Sequence, residues 1–288
     1  MKETKKNSNN NAHLYGYING VRMNDFTRGD KKMTAINLDV VTLETFKKDD
    51  SFQNKRTYHD VVLFTDNKEL IDKFAAIGAD VAANRENKDV KGYSPKTHTI
   101  SVDGVLVNKE NTIKGSDQTY DTLQFMASEP SIDLDVKQAE KEVRNRAEIV
   151  GNIAKVNVYE EKGFATATII HHYRPDDGEK DFETSMQIRV DGGRKFSQKT
   201  YEALKNGELG VGDFIRVGGQ LHNNNFENEK GKRYGMALDV TSSELLHKKA
   251  EKQEVKAEVK AEKKPAKKEA AKAAPKKATS RKKGVQMN

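Results

Sequence analysis

The sequence predicts an all-β chain with short helices: two five-stranded Greek-key barrels in tandem, followed by a disordered basic tail. Three observations carry this: an internal repeat, polar–apolar alternation within each copy, and an abrupt change of composition near residue 247. Residues 12–21 read AHLYGYINGV and residues 147–156 read AEIVGNIAKV. Ala12, Gly16, Ile18 and Val21 thus return as Ala147, Gly151, Ile153 and Val156 at a single offset of 135. Further on, VDGVL from Val102 has a counterpart in VGGQL from Val217 at an offset of 115, which assigns 20 extra residues to loops of the first copy. The expected segments are a disordered N-terminus (1–11), a first barrel (12–136), a linker (137–146), a second barrel (147–246) and a disordered Lys/Ala-rich tail (247–288).

Taken in order, the first copy opens on AHLYGYINGV and continues into MTAINLDVVTLETF, which alternates polar and apolar residues and is rich in β-branched types. YHDVVLFT is a third strand. NKELIDKFAAIGAD places Leu70, Ile71, Phe74 and Ile77 at helical spacing, with Gly78 as the expected stop. HTISVDGVLV and YDTLQFMAS complete five strands. The second copy repeats the order with RAEIVGNIAKVNVYE, FATATIIHHY, ETSMQIRV, the helical KTYEALKNG, GVGDFIRVGGQL and YGMALDVTS. Three strands, a helix and two strands is the order of the OB barrel. Asn24-Asp25 and Asp176-Asp177-Gly178 read as turns.

Bulk composition narrows the function classes. The chain of 288 residues has no cysteine, so disulfides and thiolate metal sites are excluded, and a reducing compartment is expected. The N-terminal MKETKKNSNN has no apolar stretch after its lysines, which argues against a secretory signal and for a cytoplasmic location, in a bacterial cell or phage-encoded. Mean hydropathy is −0.87 and the isoelectric point about 9.2, pointing to a polyanionic partner. The charge is uneven. From His247 onward there are 14 Lys and one Arg against five Glu, a net of +10, which leaves residues 1–246 with 36 basic and 39 acidic side chains, a net of −3. A nucleic-acid site on the barrels must therefore come from local patches.

Catalytic groupings are sparse. His171 and His172 are adjacent and point to opposite faces of a strand, so they do not share a metal. Asp133 and Asp135 share a strand face but lack a further acidic or histidine partner at useful spacing, and read as a solvated strand end. The glycines of GELGVGDFIRVGG lack the strand-before, helix-after context of a phosphate loop. No enzyme activity, cofactor or metal is expected.

Stacking chemistry is present. Sequence-tolerant binding of single strands needs aromatic faces for bases and nearby cations for phosphates. Phe46 precedes Lys47 and Lys48; Tyr58 follows Lys55 and Arg56; Tyr173 precedes Arg174; Phe226 lies near Lys230, Lys232 and Arg233. Phe46 and Tyr173 read as the same strand-end pattern in both copies.

Residues 35–74, AINLDVVTLETFKKDDSFQNKRTYHDVVLFTDNKELIDKF, resemble the central part of the bacterial single-stranded DNA-binding (SSB) family. In that family a strand ending in an aromatic leads through a charged hairpin into an aromatic-His-x-Val-Val-x-Phe strand. The resemblance covers roughly residues 12–136 and 147–246. It implies that Phe46, Tyr58 and Phe64 stack on DNA, joined from the second copy by Tyr173 and Phe226, with Lys47, Lys48, Lys55, Arg56, Arg174, Lys232 and Arg233 holding phosphates. Asn111 stands where the family carries an aromatic, Met186 where copy one has Tyr58, and Asp191 near the position of Phe64. Family members with two barrels per chain form dimers, so a homodimer with four barrels is expected. The basic tail, ending KKGVQMN, departs from the family's acidic, apolar-tipped tail. The implied function is to coat single-stranded DNA in replication, recombination and repair. The alternatives are a DNA-compacting protein whose barrels dimerise, or an RNA-binding OB protein.

Overall fold

In a computed structural model of the chain, the structure describes residues 10–48, 51–87, 97–112, 119–137, 143–173, 182–228, 231–233 and 235–249. The first barrel comprises β1 (Asn10–Arg28), β2 (Lys31–Lys48), β3 (Ser51–Thr65), α1 (Lys68–Glu86), β4 (Thr99–Thr112) and β5 (Thr119–Ala127), followed by the two-residue β6 (Asp133–Leu134). The second comprises β7 (Asn145–Tyr159), β8 (Phe164–Tyr173), β9 (Phe182–Asp191), α2 (Gln198–Lys205), β10 (Phe214–Asn223) and β13 (Met236–His247), with a small hairpin of β11 (Phe226–Asn228) and β12 (Gly231–Arg233) between the last two.

Each barrel closes on itself. In the first, β1 pairs with β2, β2 with β3, β3 in parallel with β5, β5 with β4, and β4 again with β1. In the second the same circuit runs β7, β8, β9, β13, β10 and back to β7. This is the OB circuit predicted by the strand order.

The repeated glycines mark places where neighbouring strands pack closely. A Cβ on Gly16 would lie 2.6 Å from Val41 O, and one on Gly151 would lie 2.2 Å from Ile170 O. Both first strands also carry a bulge at equivalent places, between Ile18 and Gly20 and between Ile153 and Lys155. These are the bends that let one strand serve two neighbours around a small barrel.

Leu14, Ile36, Leu38, Leu63, Phe74, Ile100 and Leu106 fill the first interior; Ile149, Ile153, Ile169, Met186 and Ile188 fill the second. Truncating any one of these to Ala would cost about 2–5 kcal/mol. The helix α1 does not stop at Gly78 but runs eight residues past it to Glu86. Gly78 lies on the face packed against β1, where an added Cβ would sit 3.3 Å from Val21 Cβ, so close packing explains a residue that looked like a terminator. Asn24 and Asp25 are likewise strand residues, opposite Ala35 and Thr34; the turn falls at Gly29, whose φ is +61°. Much of the extra length of copy one therefore sits in regular structure, with α1 at 19 residues against eight in α2. The Asp176-Asp177-Gly178 turn lies outside the described residues.

The two barrels are joined by their first strands. β1 pairs antiparallel with β7 from Asn10 opposite Ile149 to Leu14 opposite Asn145, and Ala12 sits opposite Ala147. Ala12 and Ala147 are equivalent positions of the repeat, so the copies are related by a local two-fold axis through this rung. No described helix is long and apolar enough to cross a membrane.

Candidate nucleic-acid interface

The outer faces of β1–β2–β3 and β7–β8–β9 are the equivalent exposed surfaces of the two barrels. On β3 the odd-numbered residues Thr57, His59, Val61, Leu63 and Thr65 point inward and are buried, which turns Tyr58 and Phe64 outward. Tyr58 is 50% exposed and Phe64 43% exposed. Lys55 and Arg56 are exposed on the same strand. Arg56 and Tyr58 line a groove with Tyr17, Val41, Leu43 and Arg85. Arg85 is held there by a hydrogen bond from its guanidinium to the Asn19 carbonyl. Phe64 meets Phe26 edge-to-face, with centroids 5.7 Å apart and planes at 78°.

Tyr58 is also fixed by the other barrel. Its backbone N–H donates to Asn223 Oδ1 (2.8 Å), and its carbonyl accepts from Asn223 Nδ2 (3.1 Å). The two-fold counterpart is Ser185, whose N–H donates to Asn108 Oδ1 (3.3 Å). The ladders agree: Tyr58 faces Val41, and Ser185 faces Ile170. Ser185, not Met186, therefore occupies the Tyr58 position in the second copy. Met186 matches His59 and points inward, fully buried, because one step along a strand reverses the face.

A buried polar chain runs behind this surface. Asn145 Nδ2 donates to Thr42 Oγ1 (3.2 Å), and the same hydroxyl is hydrogen-bonded to His59 Nε2 (3.0 Å). Among the described residues the buried Nδ1 of His59 has no hydrogen-bond partner. Burial pushes its pKa down to about 3. His222, beside Asp239 at 3.5 Å, is also held below its ordinary value; burial is the main cause, opposed by the Asp239 charge and reinforced by Lys55, Arg189 and Arg194.

The other sequence-predicted residues occupy hairpin ends. Phe46, Lys47 and Lys48 are the last residues of β2, opposite Gln53, Phe52 and Ser51. Tyr173 closes β8 opposite Phe182. In the ladder its rung matches Glu44 opposite Lys55, so Tyr173 and Phe46 stand two residues apart and are not equivalents. Phe226 is opposite Arg233, and Lys232 opposite Glu227, in the β11–β12 hairpin. Arg174 and Lys230 lie outside the described residues. Asn111, at the position lacking an aromatic, binds within the β4–β5 ladder to Lys109 O (3.0 Å) and Thr122 Oγ1 (2.7 Å).

Sequence reasoning missed Phe26 and Phe52, the latter 78% exposed on β3. The signal for Phe52 was present, since it lies in the charged hairpin between Asp50 and Lys55. Asp135, in contrast, has partners that linear spacing hid. His98 is buried, with Nδ1 2.9 Å from Asp135 and Nε2 3.0 Å from Asp80, which ties α1 to the end of the barrel. His171 and His172 do face opposite ways; the first donates from Nδ1 to Val150 O (2.7 Å) inside the barrel. Among the described residues no group of three or more His, Cys, Asp or Glu side chains is arranged to hold a metal ion.

No protein-family model matches the sequence, and no curated protein matches it. Solved structures do. The wild-type single-stranded DNA binding protein from Thermus aquaticus superposes with a TM-score of 0.50 at 17% identity, over 83% of this chain and 93% of that one. A deletion mutant of the same Thermus protein gives 0.49 at 16% identity, over 85% and 98%. A Plasmodium falciparum SSB in complex with ssDNA gives 0.29 at 18% identity, over 46% and 96%. What the Thermus likeness establishes is architecture: this chain is a tandem OB-barrel protein with the fold of the wild-type single-stranded DNA binding protein of Thermus aquaticus.

Proposed function

We propose that this protein binds single-stranded DNA without catalysis, stacking bases on aromatics and holding phosphates with nearby cations, and that it shields such strands during replication, recombination and repair. The observation that carries the reading is the outward pair Tyr58 and Phe64 on strand 3 of the first barrel, with Lys55 and Arg56 on the same strand. The face of strands 2 and 3 is where OB barrels take up oligonucleotides. Aromatics there are sequence-tolerant platforms, because every base has a π-face. The fold shared with the Thermus protein supports the same reading.

In this mechanism Tyr58 and Phe64 contact bases, joined at the hairpin ends by Phe46, Tyr173 and Phe226. Lys47, Lys48, Lys55, Arg56, Arg174, Lys232 and Arg233 contact phosphates. The Asn223 clamp holds the Tyr58 backbone in place before the ligand arrives, which reduces the ordering cost of binding. Two copies would assemble four barrels, and the basic tail would add phosphate contacts.

The test is fluorescence anisotropy of labelled dT oligomers with the full chain, against a duplex competitor. The expected result is tight single-strand binding that duplex does not displace and that Tyr58→Ala weakens. Equal preference for duplex, unaffected by that substitution, would refute it and favour compaction through the tail.

A further inference from the structure

The two barrels keep an aromatic on the same outer rung but on different strands. In the first barrel the rung runs Asn24, Ala35, Phe64 across β1, β2 and β3. Its two-fold counterpart runs Tyr159, Phe164, Asp191 across β7, β8 and β9. The equivalence is anchored by the shared bulge and by Gly16 and Gly151, each packed against the matching point of the next strand. On β9 itself Asp191 stands in place of Phe64. The aromatic ring of this rung is carried instead by the neighbouring strand, as Phe164 opposite Asp191.

The surroundings of Phe164 suit a ligand with flat faces and negative charge. Tyr159, 41% exposed, stacks on Phe164 with centroids 4.8 Å apart and planes at 28°. Arg189, on the strand at the other side, places its guanidinium carbon 4.7 Å from the Phe164 centroid. Lys162 Nζ lies 6.0 Å from the Tyr159 centroid. The one carboxylate on the rung, Asp191, is offset by Arg194 Nε at 3.4 Å and the Gly193 N–H at 2.9 Å. Arg189, Phe164 and Tyr159 thus form a column across three adjacent strands, flanked by Lys162 in the hairpin.

We propose that Tyr159 and Phe164, with Arg189 and Lys162, form a base-stacking platform on the second barrel in addition to Tyr173 and Phe226, so that single-stranded DNA held at Tyr58 and Phe64 in the first barrel is engaged again there. This rests on the single-strand-binding reading. A base stacks against Tyr159 and lengthens the column, and Lys162 meets its phosphate.

The experiment compares a short dT oligomer, sized for one barrel, with a long one that spans both, using the full chain. Tyr159→Ala combined with Phe164→Ala is expected to weaken long-oligomer binding by about tenfold or more while leaving the short oligomer unchanged. The chain has no tryptophan, so Phe164→Trp supplies a unique indole whose emission is expected to fall on adding long dT. Tight long-oligomer binding with an unaltered indole signal and no loss in the double variant would overturn the platform while leaving the function standing. Failure of the unmodified chain to bind any single strand would instead overturn the function itself, and the platform with it.

Discussion

Asn10 and Asn145 hold equivalent places in the two barrels, and each uses its side-chain amide as a substitute peptide group. Asn10 Nδ2 donates to Leu106 O (2.7 Å) and Asn10 Oδ1 accepts from Leu106 N (3.0 Å). Asn145 does the same with Leu221, at 3.1 and 2.7 Å. The reason is topological. At these residues β1 leaves β4 to pair with β7, and β7 leaves β10 to pair with β1. The carboxamide continues the abandoned ladder by one rung, so the buried N–H and C=O of Leu106 and of Leu221 are paired.

Removing that amide strands a buried N–H and C=O together. Asn145→Ala is expected to destabilise the chain by about 2–4 kcal/mol in urea titrations. Asn10→Ala should cost less, because Asn145 also donates to Thr42.

Base stacking separates from scaffold support at Tyr58. Tyr58→Ala and Phe64→Ala are each expected to weaken dT binding by about 1–3 kcal/mol, with melting temperature nearly unchanged, since both rings are half exposed. Asn223→Ala should lower the melting temperature instead, by freeing the Tyr58 backbone. Anisotropy and thermal melts on the three variants distinguish the roles.

Acid should loosen the fold before the carboxylates titrate. The folded pKa of His59 is about 3 against an ordinary 6.5, so the unfolded chain takes up a proton in this window that the folded chain refuses. The resulting stabilisation is complete above pH 6.5 and declines as pH falls toward 3, by at most about 1.4 kcal/mol per pH unit. His222, also depressed, adds in the same sense. Urea midpoints between pH 7 and pH 5 should fall, and His59→Gln should flatten the trend.

The point at which the tail is cut matters. Asp213 is buried and accepts from Lys249 N (2.8 Å), Gly210 N (2.9 Å) and Lys248 Nζ (3.3 Å). Its burial alone would raise its pKa, but these donors outweigh that and leave the carboxyl below its ordinary value. A chain ending at Lys249 should melt like the full chain, while one ending at Leu246 should lose about 1–3 kcal/mol. The loss of charge beyond residue 249 should flatten the salt dependence of binding.

The duplication, the strand order and the outward aromatics of β3 were legible in the linear sequence, because each is written locally. Alternation shows which face of a strand is wet, and a repeated glycine survives where a side chain would strike the next strand. Register and partnership were not written locally. Ser185 rather than Met186 matches Tyr58, Phe164 stands in for Phe64 from another strand, and His98 finds Asp80 and Asp135 across 18 and 37 residues. Only barrel closure and the pairing of β1 with β7 decide these, since hydrogen bonding between strands, not proximity along the chain, sets which side chains share a rung.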